Sequence, residues 1–140
     1  MTLPLSEPVN PLRRLALAAI DPPRELWKRL VNLTRGVRDI SPRQAQTLIR
    51  DQNAFVLDVR EPQEFAAGHV KNSRLIPLGT LSARVQELEP YRARPIVVIC
   101  HGGKRSATAC ALLARQGFGN TFNIAGGILA WKKQALPVVQ

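Results

Sequence analysis

Pro95-Ile-Val-Val-Ile-Cys100-His-Gly-Gly-Lys-Arg-Ser106 is the stretch on which the fold turns. Ile96 to Ile99 is a short β-branched run without polar alternation, the pattern of a strand buried on both faces. The run stops on Cys100, and two glycines, a lysine and an arginine follow His101. Ser106-Ala-Thr-Ala-Cys110-Ala-Leu-Leu-Ala-Arg115 then reads as a helix ending near Gly117. A strand, a tight loop and a helix N-terminus together aim backbone N–H groups at one point. A sulfur at that point is favoured as thiolate by the helix dipole and by Lys104 and Arg105, which makes Cys100 the candidate nucleophile. A cysteine at a strand end is more often a small buried hydrophobe. Gly102 and Gly103 argue against mere packing here, because they permit positive φ and close backbone approach. Two cations beside a purely structural thiol would also be a poor choice.

Working outward, the chain from Arg38 alternates strands and helices. Asp39-Ile40 ends a short strand. Ser41 caps a helix with Pro42 at its first position and Ala45, Leu48 and Ile49 on its apolar face. Residues 54–58 form a second buried strand, and residues 62–67 a short helix closed by Gly68. Residues 74–78 make a brief strand. Thr80 caps a helix carrying Leu81, Val85 and Leu88, which stops at Pro90. Residues 121–124 are the last strand and residues 128–133 the final helix. Such alternation predicts an α/β domain with a central, mostly parallel five-stranded sheet between layers of helices. Ligands bind beyond the carboxyl ends of the strands in sheets of this kind, and Asp58 and Cys100 both fall there.

Cys100-His-Gly-Gly-Lys-Arg-Ser106 resembles the active-site loop of rhodanese-type sulfurtransferases, C-x-x-G-x-R-S. Three further stretches match the family in order. Leu57-Asp-Val-Arg-Glu-Pro-Gln-Glu-Phe65 with Gly68-His-Val70 is similar to its D-V-R-E-x-x-E-(F/Y)…G-H-(I/V) segment. Asn72 through Ile76-Pro77 is similar to its N-(A/S)-x-x-I-P. Gly126-Gly-Ile-Leu-Ala-Trp131 with Pro137-Val138 is similar to its closing G-G-x-x-A-W…P-V. The resemblance spans roughly residues 37 to 138, which sets a rhodanese-like domain (37–138) apart from an N-terminal arm (1–36).

The resemblance implies a sulfurtransferase of the thiosulfate type. It would carry sulfane sulfur from a small anionic donor, through a Cys100 persulfide, to a thiol, cyanide or protein acceptor. The amides of His101, Gly102, Gly103, Lys104, Arg105 and Ser106 would cradle the persulfide, and Lys104 and Arg105 would attract the donor. Asp58 and Arg60 are read as a loop-bracing ion pair, with Asp58 the loop support and Arg60 also able to help bind the donor. His101 is read as an exposed loop residue, His69 and Asn72 as turn residues and Cys110 as packing. No metal or organic cofactor is required. Two other readings stand beside this one. A related phosphatase loop has the form C-x5-R, whereas Cys100 to Arg105 is C-x4-R, a tighter ring better suited to a terminal sulfur. A non-catalytic sulfur-carrier or protein-binding module on the same fold is the other.

Composition narrows the class. The 140 residues are 45% hydrophobic and 21% charged, which fits a globular domain with a proper core. Two cysteines make no disulfide framework, so a reducing cytoplasm is expected. The net charge of +10 favours anionic partners, but aromatic residues are only 5%, and nucleic acid is not expected. Residues 1–11, with Pro4, Pro8 and Pro11, read as a tail. Residues 12–20 superficially suggest a signal peptide, but the apolar core is too short and Asp21-Pro-Pro23 follows at once. Asp21 and Pro22 then start a helix that carries Leu26, Leu30 and Leu33 on one face and stops at Gly36. Docking of that helix on its own domain is expected, with membrane or partner contact through residues 22–35 as the alternative. The chain is read as a monomer or homodimer.

Overall fold

The computed structural model describes residues 23–140, so the tail, the signal-like stretch and the Asp21-Pro22 cap lie outside the described residues. In chain order the elements are α1 (Arg24–Thr34), β1 (Asp39–Ile40), α2 (Pro42–Gln52), β2 (Phe55–Asp58), α3 (Pro62–Ala67) and β3 (Arg74–Leu75). They continue with α4 (Leu78–Arg84), a 3₁₀ segment (Val85–Tyr91), β4 (Ile96–Ile99), α5 (Lys104–Arg115), β5 (Thr121–Ile124) and α6 (Gly127–Lys133). The five strands form one sheet in the order β1-β5-β4-β2-β3, with every neighbouring pair parallel.

β4 is central, and its sequence explains why. Ile96 and Val98 point into a core shared with Phe55, Leu57, Leu81, Leu88 and Leu113, under α4, the 3₁₀ segment and α5. Val97 and Ile99 point the other way, toward Ala45, Val56, Ile124, Ile128 and Trp131, under α2 and α6. A strand that feeds two cores has no polar face to show, hence the unbroken apolar run. Fully burying each such side chain stabilises by roughly 1.5–3 kcal/mol relative to exposure.

Local chemistry sets most boundaries. Ser41 Oγ accepts from the Gln44 N–H (3.1 Å) while Gln44 Oε1 accepts from the Ser41 N–H (2.8 Å), a reciprocal cap with Pro42 at the first helical position. Several ends differ from the sequence reading. α4 starts from Pro77, whose fixed φ suits a helix entry, so Thr80 lies inside the first turn and donates its hydroxyl to the Pro77 carbonyl. The continuation tightens to 3₁₀ at Val85 and takes Pro90 inside it instead of ending before it. β3 stops at Leu75, before Ile76-Pro77.

α1 differs most. The leucines expected to be covered by the domain are not: Leu26, Trp27, Leu30, Val31 and Leu33 are all exposed. The domain is met instead by the polar side of the helix, where Asn32 Nδ2 donates to both carboxylate oxygens of Asp39 at 3.1 Å. A cavity of about 580 Å³, lined in part by Arg29, Leu33, Gln44 and Gln134, separates the helix from the edge of the sheet. No helix among the described residues is long and apolar enough to cross a membrane.

Candidate active site

Cys100 leaves the end of β4 beside Asp58, because the β2–β4 register pairs Asp58 with Ile99. Its residue surface is 1% exposed, so the sulfur is recessed at the floor of the loop. Sγ accepts a hydrogen bond from the Gly103 N–H (3.1 Å), and Ser106 Oγ lies 3.2 Å away. Gly103 is the left-handed N-cap of α5 (φ 98°), which starts the helix at Lys104, two residues earlier than the sequence suggested. Only Gly103 of the two loop glycines uses positive φ; Gly102 does not, and it is exposed.

A second glycine pair forms the back of the loop. The Ile128 N–H donates to the Cys100 carbonyl (2.8 Å) and the Leu129 N–H to the His101 carbonyl (3.2 Å), so the first turn of α6 grips the backbone of Cys100 and His101. A Cβ on Gly127 would stand 2.5 Å from both carbonyl oxygens, and one on Gly103 would stand 3.0 Å from the Gly126 nitrogen. The two loops mesh because neither has side chains at the contact. Asn123, buried in β5, donates from Nδ2 to Asp39 Oδ1 (2.8 Å) and to the Gly103 carbonyl (3.3 Å).

The cations do not act alike. Arg105 forms a two-pronged pair with Glu64, Nη1 to Oε1 at 2.8 Å and Nη2 to Oε2 at 2.9 Å. Those bonds hold the Glu64 carboxyl down to about 2 and raise the Arg105 pKa further. Lys104 is exposed and has no ion pair among the described residues. As the first residue of α5 it sits at the positive end of the helix dipole, an unfavourable place for a cation unless an anion is bound nearby.

Arg60 is buried within the domain. Its side chain is 4% exposed, with Nε and Nη2 on the Asp58 carboxylate (2.8–3.1 Å) and Nη2 also on the Gly68 carbonyl (2.8 Å). This is the loop-bracing ion pair expected with Asp58, and burial of the paired arginine tolerates little movement. The pair ties the end of β2 to the end of α3, the helix that presents Glu64 to Arg105. His69 stacks on Phe65 and bonds its carbonyl through Nδ1 (2.8 Å), and Asn72 takes a left-handed turn conformation. His101 is exposed beside Cys100. Burial pushes the Cys110 thiol up to about 12, which keeps it a neutral packing group.

Glu64 and Gly127 fall within the stretches that resemble the family but carry no site role in the sequence reading, and Asn123 is outside those stretches. Glu64 lies 41 positions from its partner, and no local pattern links them. Asn123 did leave a trace, being the one amide within the strand Thr121-Phe-Asn-Ile124.

A parallel α/β domain whose central strand delivers a thiol to the amino end of a helix belongs to the cysteine-loop class of folds. Within that class the chain belongs to the rhodanese-like domain family, whose family model matches residues 41–134. It is 35% identical over 95 residues to a sulfurtransferase of Allochromatium vinosum, covering 68% of this chain and 87% of that one. It is 39% identical over 93 residues to the thiosulfate sulfurtransferase GlpE of Ectopseudomonas mendocina, covering 66% and 83%. A rhodanese-related protein from Thermoplasma volcanium superposes with a TM-score of 0.64 at 34% identity, covering 73% of this chain and 97% of that one.

Proposed function

We propose that this protein is a thiosulfate sulfurtransferase working through a Cys100 persulfide, with residues 37–138 as the catalytic unit and residues 1–36 as an appended arm. The observation that carries the reading is Cys100 Sγ receiving the Gly103 amide at the amino end of α5, a setting that stabilises negative charge on sulfur. The curated relatives named sulfurtransferase and thiosulfate sulfurtransferase support the reaction class.

In the first half-reaction the Cys100 thiolate attacks the outer sulfur of thiosulfate. The S–S bond of the donor breaks, sulfite leaves with the bonding pair, and Cys100 carries a persulfide. In the second half-reaction cyanide or a thiolate attacks the terminal sulfur, which restores the Cys100 thiolate and releases thiocyanate or a new persulfide. The loop amides, the Ser106 hydroxyl and the dipole of α5 hold the anionic sulfur in both steps. Lys104 draws the donor in, since it is the loop cation without a carboxylate partner among the described residues. Arg105, held by Glu64, fixes the shape of the loop. Both cysteines are free thiols, which suits a reducing cytoplasm.

Thiosulfate:cyanide turnover in single variants tests the assignment. Cys100→Ser loses activity, and Cys110→Ser keeps most of it. Equal loss in a folded Cys110→Ser protein would return a role to the second thiol.

A further inference from the structure

α1 is turned the wrong way for a helix that serves its own domain. At 100° per residue, Leu33, Leu26, Leu30, Trp27 and Val31 lie on one arc interrupted only by Thr34, and these residues are 38–65% exposed. The opposite side faces the protein. Asn32 is bonded to Asp39, the Asn32 carbonyl accepts from the Val37 N–H (2.8 Å), and Arg35 Nη2 reaches Thr108 Oγ1 (3.3 Å). The helix is therefore fastened along its polar side, and its apolar side is presented outward, except that Leu33 and the flanking Arg29 border the cavity beside the sheet edge.

We propose that this outward face of α1 seats in the headgroup region of an anionic lipid surface, lying flat on it. Charge selects the occupant. The arc is bordered by Arg24 on one side, next to the Thr108-bonded Arg35, and by Arg29 on the other, and residues 24–35 hold four basic residues against one acidic. A second copy of the chain would bring the same positive rim into contact with itself, on a molecule already at +10. An anionic bilayer surface offers apolar depth for the leucines and phosphates for the arginines at once. Trp27 is 59% exposed within the arc, and an indole is favoured at that depth.

The chain supplies its own reporter. It has two tryptophans, and Trp131 is buried with its indole N–H bonded to the Pro137 carbonyl (2.9 Å), so spectral change on binding belongs to Trp27. The full chain is titrated with phosphatidylcholine vesicles with and without phosphatidylglycerol, following emission, acrylamide quenching and co-sedimentation. The expected result is a blue shift and protection with phosphatidylglycerol vesicles only, reversed by high salt. Trp27→Phe removes the spectral change, and L26E/L30E weakens co-sedimentation by at least about tenfold. Both leucines are exposed, so the double variant keeps its fold, which circular dichroism checks. Absence of binding to phosphatidylglycerol vesicles overturns the proposal. So does a Trp27 already shielded from acrylamide without lipid, and so does a concentration-dependent dimer abolished by L26E/L30E, which would assign the face to a second copy.

Discussion

Arg105 stands one residue from Lys104, yet among the described residues only Arg105 has a carboxylate partner, which is the basis for proposing different work for the two. A guanidinium held on two prongs by Glu64 is a fixed part of the loop wall, whereas an unpaired ammonium can meet an incoming anion. Two predictions belong here. Lys104→Ala raises KM for thiosulfate several-fold with less effect on kcat, since a single exposed cation is worth about 1 kcal/mol before screening; steady-state kinetics at low salt checks it. Glu64→Gln destabilises the protein at neutral pH by roughly 1 kcal/mol, discounted because both partners are about a third exposed. The sign with pH follows from the depressed carboxyl. The stabilisation is complete above its ordinary pKa near 4.5 and fades as pH falls toward about 2. Urea melts of wild type and Glu64→Gln therefore differ most above pH ~5 and converge in acid.

At the scale of elements, the loop is a joint between β4, α5 and α6, and two glycines measure how tight that joint is. Gly127→Ala must push a methyl into the carbonyl oxygens of Cys100 and His101 at φ 58°, so it costs at least about 2 kcal/mol and abolishes most turnover. Gly102→Ala meets no atom within 4 Å and needs no positive φ, so its melting temperature stays close to wild type. Thermal melts and turnover on the two variants make the comparison. This joint also marks where the sequence stops being legible. Strand β4, the cysteine and the helix after it are contiguous, and their pattern of apolar run, small residues and helix could be read directly. The grip of Ile128 and Leu129 on the loop closes over residues nearly thirty positions apart, and nothing local announces it. The Asp58–Arg60 pair is legible from their closeness in the chain, whereas the bond from Arg60 to the Gly68 carbonyl is not. The orientation of α1 was the other failure, because an apolar stripe specifies that a face wants cover and is silent on what supplies it.

At the scale of the whole molecule, a chain at +10 with its cysteine loop at a helix N-terminus is expected to concentrate anions near the sulfur. Thiosulfate turnover accordingly falls as ionic strength rises, with the steepest change below ~0.1 M, where the screening length exceeds ~10 Å. A salt series at fixed pH, with wild type and Lys104→Ala compared, separates the loop cation from the general field. All of this depends on the sulfur resting on Cys100 between half-reactions. Intact mass after incubation with thiosulfate, followed by cyanide, tests that claim most directly. The account predicts a gain of one sulfur atom on the wild-type chain and on Cys110→Ser, removed by cyanide, and no gain on Cys100→Ser. A sulfur atom retained by folded Cys100→Ser, or a wild-type chain that turns over thiosulfate without ever gaining mass, would contradict it.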